Sequence, residues 1–514
     1  MLKLETATPP TSSRSHRSCP PRLCTIILCS HNCGRSRAVG VWIPTATYIN
    51  QRLAFCPNLS LRLATRKGGR KTRMAPGTSR LTMSCDIPEE VICYTIFSRL
   101  PLKLVMCMKT LSKHCYRQLT SDTKFAAEQA RLCPSSPALI HIGCLPKPRD
   151  SYKYSLDVLS STPAIVGVPS SGLYFLGFGK DTGHFDLLAS SNGLLCIRYI
   201  PFYRGPLTPP KSILIANPAT QQAQPIPGAT QHILKNLRVG LVFDPPEESS
   251  SIGHNFMIVQ AISFALTDDN LVDFCFVIFS SLTGRWVMSD TVIRANVEKR
   301  CNKVVYASGV LYWDYQPNMF WFDVKGNATG VIKMPGKLQG FTSEEWDRHN
   351  IDVSDNGMLM CTTVNKDGFS VYGLVKKDAH YWELNHKKGW KEIMEMTGDG
   401  FQFCHSIMKL RGGCQSKFYE RWFVRPLGLE SGRWIYLGVR LKWKTPDRVL
   451  CYDMVTGKVA DIGKELGRDF HMSTVFGYRN SMASLPPIHV PVMEDGICDG
   501  KPGGCICAVE RSED

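Results

Sequence analysis

Between residues 152 and 487 one short module keeps returning: a glycine, an apolar run of strand length, a second run ending in an aromatic residue and Asp, then a turn. One copy is Gly309-Val310-Leu311-Tyr312-Trp313, followed by Phe322-Asp323 and Lys325-Gly326. Another is Gly432-Arg433-Trp434-Ile435-Tyr436, followed by Tyr452-Asp453 and Thr456-Gly457. Partial copies are Gly193-Leu194-Leu195-Cys196, Gly357-Met358-Leu359-Met360, and Thr283-Gly284-Arg285-Trp286 behind Val277-Ile278-Phe279. Short apolar runs divided by Gly, Pro, Asn and Asp predict an all-β domain, a propeller or a sandwich. Glycine supplies the turns that residues with a Cβ resist, and Trp and Tyr cover the gap between neighbouring sheets. About 300 residues at roughly 50 per blade would make about six blades, and the recurrence favours a propeller over an open sandwich. The copies are unevenly spaced, so blade boundaries cannot be read from the period alone.

The stretch 86–132 has a different rhythm. Asp86 with Glu89 three residues on has capping-box spacing, and Pro88 suits a first helical turn. Ile92, Ile96 and Leu100 then recur on one helix face, with Val91 and Phe97 beside them. Pro101 stops that helix, because the residue before a proline is pushed out of the α region. Two further apolar runs of helical length follow, Leu102 to Met108 and Leu111 to Leu119. Fewer than about 50 residues in short helices bury little surface, so an apolar face left over on such a unit is a candidate docking surface.

Here the residues carry a specific resemblance. Ile87-Pro88-Glu89-Glu90, Phe97-Ser98-Arg99-Leu100-Pro101-Leu102-Lys103, Leu111-Ser112-Lys113, and Leu119 with Ser121-Asp122 to Phe125 resemble the F-box in the form common in plants; Cys115 stands where the family has tryptophan. The β region resembles plant F-box-associated domains at Leu188-Ala189-Ser190-Ser191-Asn192-Gly193-Leu194-Leu195-Cys196, Ala216-Asn217-Pro218-Ala219-Thr220, Gly240-Leu241-Val242-Phe243-Asp244-Pro245 and Gly309 to Trp313. The resemblance implies a substrate-recognition subunit of an SCF-type (Skp-cullin-F-box) ubiquitin ligase. It implies adaptor contacts at Ile87, Pro88, Val91, Ile96, Leu100, Pro101, Leu104 and Leu111, with the β domain selecting the target protein.

Charge separates the N-terminal segment from the rest. Residues 1–84 hold fourteen Lys and Arg against the single acid Glu5, so all but four of the chain's +17 net charges lie there. Basic, Ser/Thr/Pro-containing and without a sustained apolar period, this segment is expected to be disordered. A transit peptide, a basic arm through Arg66-Lys67-Gly68-Gly69-Arg70-Lys71-Thr72-Arg73, and a solvated extension all fit it. The remaining residues are nearly balanced, so no nucleic-acid partner is expected. No run approaches the roughly 18 apolar residues of a membrane helix. Phe256 to Leu266, with 11 residues, is expected to be a buried strand, and no membrane partner is expected.

Patterns that carry catalysis or metal binding are broken or missing. The 21 cysteines include no C-x-x-C pair, and Cys196, Cys275 and Cys361 sit in apolar runs as small hydrophobes. Gly177-Phe178-Gly179-Lys180-Asp181 lacks both the earlier Gly and the Ser or Thr of a phosphate loop. His380 and His386 have no matching third ligand, and Glu344-Glu345-Trp346-Asp347 reads as a solvated loop. The expected organisation is a basic tail over 1–84, an all-α F-box-like unit over 85–132, a linker over 133–151, a kelch-like β-propeller domain over 152–487 and a flexible tail over 488–514. The expected role is non-enzymatic, without cofactor, metal or catalytic residue, and cytoplasmic or nuclear. A scaffold without ligase function and a propeller-based enzyme are the alternatives.

Overall fold

The computed structural model describes residues 23–30, 37–44, 91–109, 112–132, 138–147, 151–160, 172–178, 183–202, 211–228, 239–244, 255–266, 271–296, 303–315, 318–335, 349–365, 367–377, 381–397, 423–440, 447–466, 475–485 and 488. Its contacts divide the chain into two units, Met1–Leu100 with Cys107–Glu128, and Pro101–Met106 with Gln129–Asp514. Within the first 84 residues, strands β1 (Leu23–Ser30) and β2 (Arg37–Pro44) pair antiparallel. The apolar residues of Ile26-Ile27-Leu28 and Val39 to Ile43 supply the β-prone runs for that pair. The other residues expected to be disordered lie outside the described residues.

In the second unit, six antiparallel sheets follow one another along the chain and form a six-bladed propeller. The first sheet holds β3 (Ala138–Lys147) and β4 (Ser151–Leu159). The second runs β5 (Gly183–Ser191), β6 (Leu194–Pro201), β7 (Ser212–Asn217), β8 (Gln222–Pro225). The third runs β9 (Val239–Phe243), β10 (Phe256–Leu266), β11 (Leu271–Ser280), β12 (Arg285–Asn296). The fourth runs β13 (Val304–Ala307), β14 (Val310–Tyr315), β15 (Asn318–Asp323), β16 (Ala328–Lys333). The fifth runs β17 (His349–Val353), β18 (Leu359–Val364), β19 (Gly368–Lys376), β20 (Tyr381–Gly389), and the helix Trp390–Thr397 follows it. The sixth runs β21 (Phe423–Glu430), β22 (Trp434–Arg440), β23 (Asp447–Asp453), β24 (Val459–Leu466).

The ring closes through strand β25 (Phe476–Tyr478), which pairs with β3 and becomes the innermost strand of the first sheet. The register sets Phe476 opposite Ile140 and Tyr478 opposite Ala138. Innermost strands β25, β5, β9, β13, β17 and β21 each pack against the next around the ring. The residues after β25 run on over the second blade, where the Asn217 amide donates to Ser481 O (3.0 Å) and Ala483 O (2.7 Å). Gly193 makes that path possible. Its φ is +92°, and a Cβ there would lie 2.8 Å from Arg479 O and 2.9 Å from Ser481 N.

The sequence module has a fixed phase in this architecture. Gly193, Gly309, Gly357 and Gly432 all sit in the turn between a blade's first and second strands. Asn192-Gly193, Ser308-Gly309 and Ser431-Gly432 each have two positive φ values, the twist that suits a two-residue hairpin. The aromatic-Asp ends mark the turn into the fourth strand. Asp323 Oδ1 accepts from the N–H groups of Lys325 (3.0 Å) and Gly326 (2.9 Å), and Asp453 Oδ1 from Val455 N–H (3.0 Å). Asn217 holds the second blade's turn through Ala219 N–H (2.9 Å).

Both faces of each sheet are used. Leu311, Trp313 and Tyr315 pack with the third blade, while Val310 and Tyr312 pack with the fifth. All six residues of β14 are therefore buried, which is why it reads as a continuous apolar run and not as an alternation. The same division fills the other gaps with apolar clusters. Cys196, Cys275 and Cys361 lie buried in these sheets.

One boundary differs from expectation. The stretch 133–151, expected as a linker, contains strand β3, with Leu139 and Ile140 fully buried. The prolines at 134, 137, 146 and 148 mark a linker in the sequence, but the run Ala138-Leu139-Ile140-His141-Ile142 between them supplies the second strand of the closing sheet.

The helices before it are short. Ile92–Ile96 makes a single wide turn and Phe97–Arg99 a tight one; Leu100 is extended (φ −86°, ψ 147°) ahead of Pro101. Helix Leu102–Met108 follows. The helix Lys113–Ser121 is capped by Ser112, whose Oγ accepts from Cys115 N–H at 3.0 Å. The helix Thr123–Leu132 begins at Asp122, whose Oδ1 accepts from Lys124 N–H (2.9 Å) and whose other oxygen takes the Tyr94 hydroxyl. Ile92, Cys93, Phe97, Cys115, Leu119 and Phe125 are buried. The Asp86–Glu89 capping box lies outside the described residues.

Because Phe476 is buried in the strand that closes the ring, Phe476→Ala is expected to cost about 3–5 kcal/mol. Urea denaturation followed by circular dichroism measures it. A loss under about 1 kcal/mol would mean that closure does not depend on this strand.

Candidate functional site

The six innermost strands pack one on the next around the propeller's central channel. Polar groups cross its wall between blades. Lys303, just ahead of β13, is 4% exposed, and Asp352 on β17 is 3% exposed. The Lys303 Nζ lies 3.2 Å from Asp352 Oδ2 and 3.3 Å from Asn350 Oδ1, with the Phe476 ring centroid 5.5 Å away. Asp352 also accepts from Leu429 N–H on β21 (3.2 Å) and Val353 N–H (3.0 Å). One carboxylate thus joins the fourth, fifth and sixth blades. Beside it, His349 Nε2 lies 2.6 Å from Asp314 Oδ2, both buried. Burial pushes the Lys303 ammonium below the ordinary lysine range, and Asp352 and Asp314 pull it back up.

Where the inner strands end, the channel opens into a cavity of about 240 Å³. Its lining comes from the ends of the inner strands and the turns after them, including Ser190, Asp244, Tyr306, Asp352, Asp355 and Arg479. Asp244 accepts a hydrogen bond from the Tyr306 hydroxyl at 2.5 Å, and Arg479 Nη2 reaches Asp355 Oδ1 at 2.5 Å. Burial, then Asp244 itself, raises the Tyr306 phenol above its ordinary range, so that it stays a neutral donor. The Ser190 hydroxyl oxygen is buried without a hydrogen-bond partner among the described residues. Among the described residues no group of three or more His, Cys, Asp or Glu is placed to hold a metal ion. No helix there is long and apolar enough to cross a membrane.

None of these polar residues was singled out from the sequence, apart from Ser190 and Asp244 as parts of longer motifs. They come from different blades, so no spacing joins them. The expected adaptor contacts are placed as follows. Val91 is exposed (45%), and Ile96 and Leu100 are partly buried in the first unit. Pro101 and Leu104 are partly buried too, with Leu104 N–H donating to Pro101 O at 2.8 Å. Ile87, Pro88 and Leu111 lie outside the described residues. His386 lies in β20 with its ring nitrogen 3.2 Å from the Tyr452 hydroxyl, and His380 is outside the described residues.

Residues 165–401 match the family model described as "F-box protein At3g26010-like, beta-propeller". The propeller is F-box-protein-like. The match spans the second to fifth blades. No curated protein matches the chain. Among solved structures, the chain is similar to the extracellular domain of a one-component system from B. thetaiotaomicron (10% identity, TM-score 0.24), covering 54% of this chain and 27% of that one. It is also similar to a chain of a mitotic checkpoint complex (12% identity, TM-score 0.24), covering 55% and 64%. The β-propeller domain of the Trilobed protease from Pyrococcus furiosus (8% identity, TM-score 0.27) is covered to 96% by 59% of this chain. The chain thus spans less than two thirds of the first two. The propeller assignment rests on the strand topology.

Asp352→Asn removes the counter-ion from a buried ammonium and is expected to destabilise by about 3–5 kcal/mol. It also removes the interactions that raise the Lys303 pKa. The unfolded chain then binds more protons than the folded one between that depressed value and the ordinary lysine pKa of about 10.4, so the variant should regain stability as pH rises through this window. Denaturation midpoints at about pH 7 and about pH 10 measure this. A variant no more stable, relative to the parent, at the higher pH contradicts the assignment.

Proposed function

We propose that this chain is the substrate-recognition subunit of an SCF-type ubiquitin ligase. The single observation that supports the reading is the match of the propeller to an F-box-protein family model, in a chain whose residues 86–132, earlier in the sequence, resemble the F-box. In this reading Val91, Ile96, Leu100, Pro101 and Leu104, with Ile87, Pro88 and Leu111, dock on a Skp-type adaptor and through it on cullin. Within the first unit the exposure of Val91 and the incomplete burial of Ile96 and Leu100 leave apolar surface, which supports that contact.

The propeller then presents its turns to a target protein. Ubiquitin transfer follows by proximity, because holding a target lysine near a charged carrier raises its effective concentration. The reading gives the chain no catalytic residue and no cofactor, and a place in the cytoplasm or nucleus.

The test is a pull-down of the full chain with a plant Skp-type adaptor, beside a Val91→Asp/Leu104→Asp variant. Capture of the parent and loss of the variant, with the propeller's circular dichroism unchanged, is the expected outcome. Failure of the parent to bind overturns the reading.

A further inference from the structure

We infer that the cavity at the strand-end mouth of the channel binds a single cationic side chain, a lysine ammonium or an arginine guanidinium, of a protein target. The target's being a protein rests on the receptor reading above; the preference for a cation rests on the cavity alone.

The charge balance inside the cavity leads there. Asp352 is neutralised from below by Lys303, and its oxygens are also taken by backbone N–H groups. Asp355 is neutralised across the mouth by Arg479. Among the described residues Asp244 has no such partner. It is exposed, and its only described hydrogen bond comes from the neutral hydroxyl of Tyr306. The second carboxylate oxygens of Asp244 and Asp355 accept no described hydrogen bond, and the buried Ser190 hydroxyl has no described partner.

Among the described residues the vacant capacity is therefore mostly for hydrogen bonds from a donor, and one negative charge is uncompensated. A donor-rich cation answers both needs. At about 240 Å³ the cavity is smaller than the ~300–1,000 Å³ that drug-sized ligands and cofactors occupy. One long side chain fits that scale.

The full chain, immobilised, is exposed to short peptide mixtures that are random except for a fixed central residue: Arg, Lys, norleucine or Glu. Arg- and Lys-centred mixtures are expected to be retained about tenfold more than the others, with the preference weakening as salt rises. Asp244→Asn keeps the acceptor for Tyr306 but removes the charge, and should bring the preference close to parity. Asp290→Asn, an exposed acid on β12, should leave it unchanged. Thermal midpoints check that each variant is folded.

Equal or greater retention of norleucine or Glu mixtures overturns the assignment, as does an undiminished preference in Asp244→Asn. The adaptor pull-down is run on the same preparation. Lost basic preference with adaptor binding intact counts against the cavity alone, and lost adaptor binding with the preference intact counts against the ligase reading alone.

Discussion

The structure depends on ring closure. Each blade buries both faces against its two neighbours, so no blade has a solvent face on which to stand by itself. An open ring would expose one face of the first sheet and one of the last. Pairing of β25 with β3 prevents this by making the first sheet from both ends of the domain. Val475, Phe476 and Tyr478 are buried by that pairing, and Asn217 holds the residues beyond it on the second blade. Contacts between residues so distant in sequence form only after long loops have closed, an entropic cost that the apolar clusters must offset.

Against this apolar frame the Lys303–Asp352 pair stands out, because taking two charges out of water costs several kcal/mol per ion before any attraction offsets it. Its geometry suits a fastener between blades. Asp352 spends its oxygens on the Lys303 ammonium and on backbone N–H groups of its own and the sixth blade. Such a pair is a weak source of net stability but a strict one of register, since any slip leaves a buried charge unpaired. At the channel mouth above it Asp352 is already paired, so the character of the opening is set by the groups at its rim.

The fold was legible in the sequence because its module reports local geometry. Asn192-Gly193, Ser308-Gly309 and Ser431-Gly432 mark first turns, and Asn217, Asp323 and Asp453 mark third turns, each by a conformation or hydrogen bond made within a few residues. Strand β3 is harder to read. Its prolines carry the local signature of a linker, yet Leu139–Lys147 pair as a hairpin with the adjacent β4, and Ala138–Ile140 also pair with β25 at the far end of the domain. The cavity was illegible because Asp244, Tyr306, Asp355 and Arg479 come from four blades. The helices before the propeller are the reverse case: their signals lie in consecutive residues, so a local pattern marks them before any fold is known.

By itself, then, the sequence determined the all-β character of the main domain, the phase of its turns, the helical segment before it and the concentration of positive charge at the N-terminal end. These follow from propensity, capping and spacing, which act over a few residues. Tertiary structure alone decided that the ring closes with a strand from each end, that a buried lysine and aspartate lock three blades, and that Asp244 stands at the mouth without a counter-charge among the described residues. Those outcomes depend on which side chains the closed ring brings together, and no local interaction encodes a distance measured across the channel.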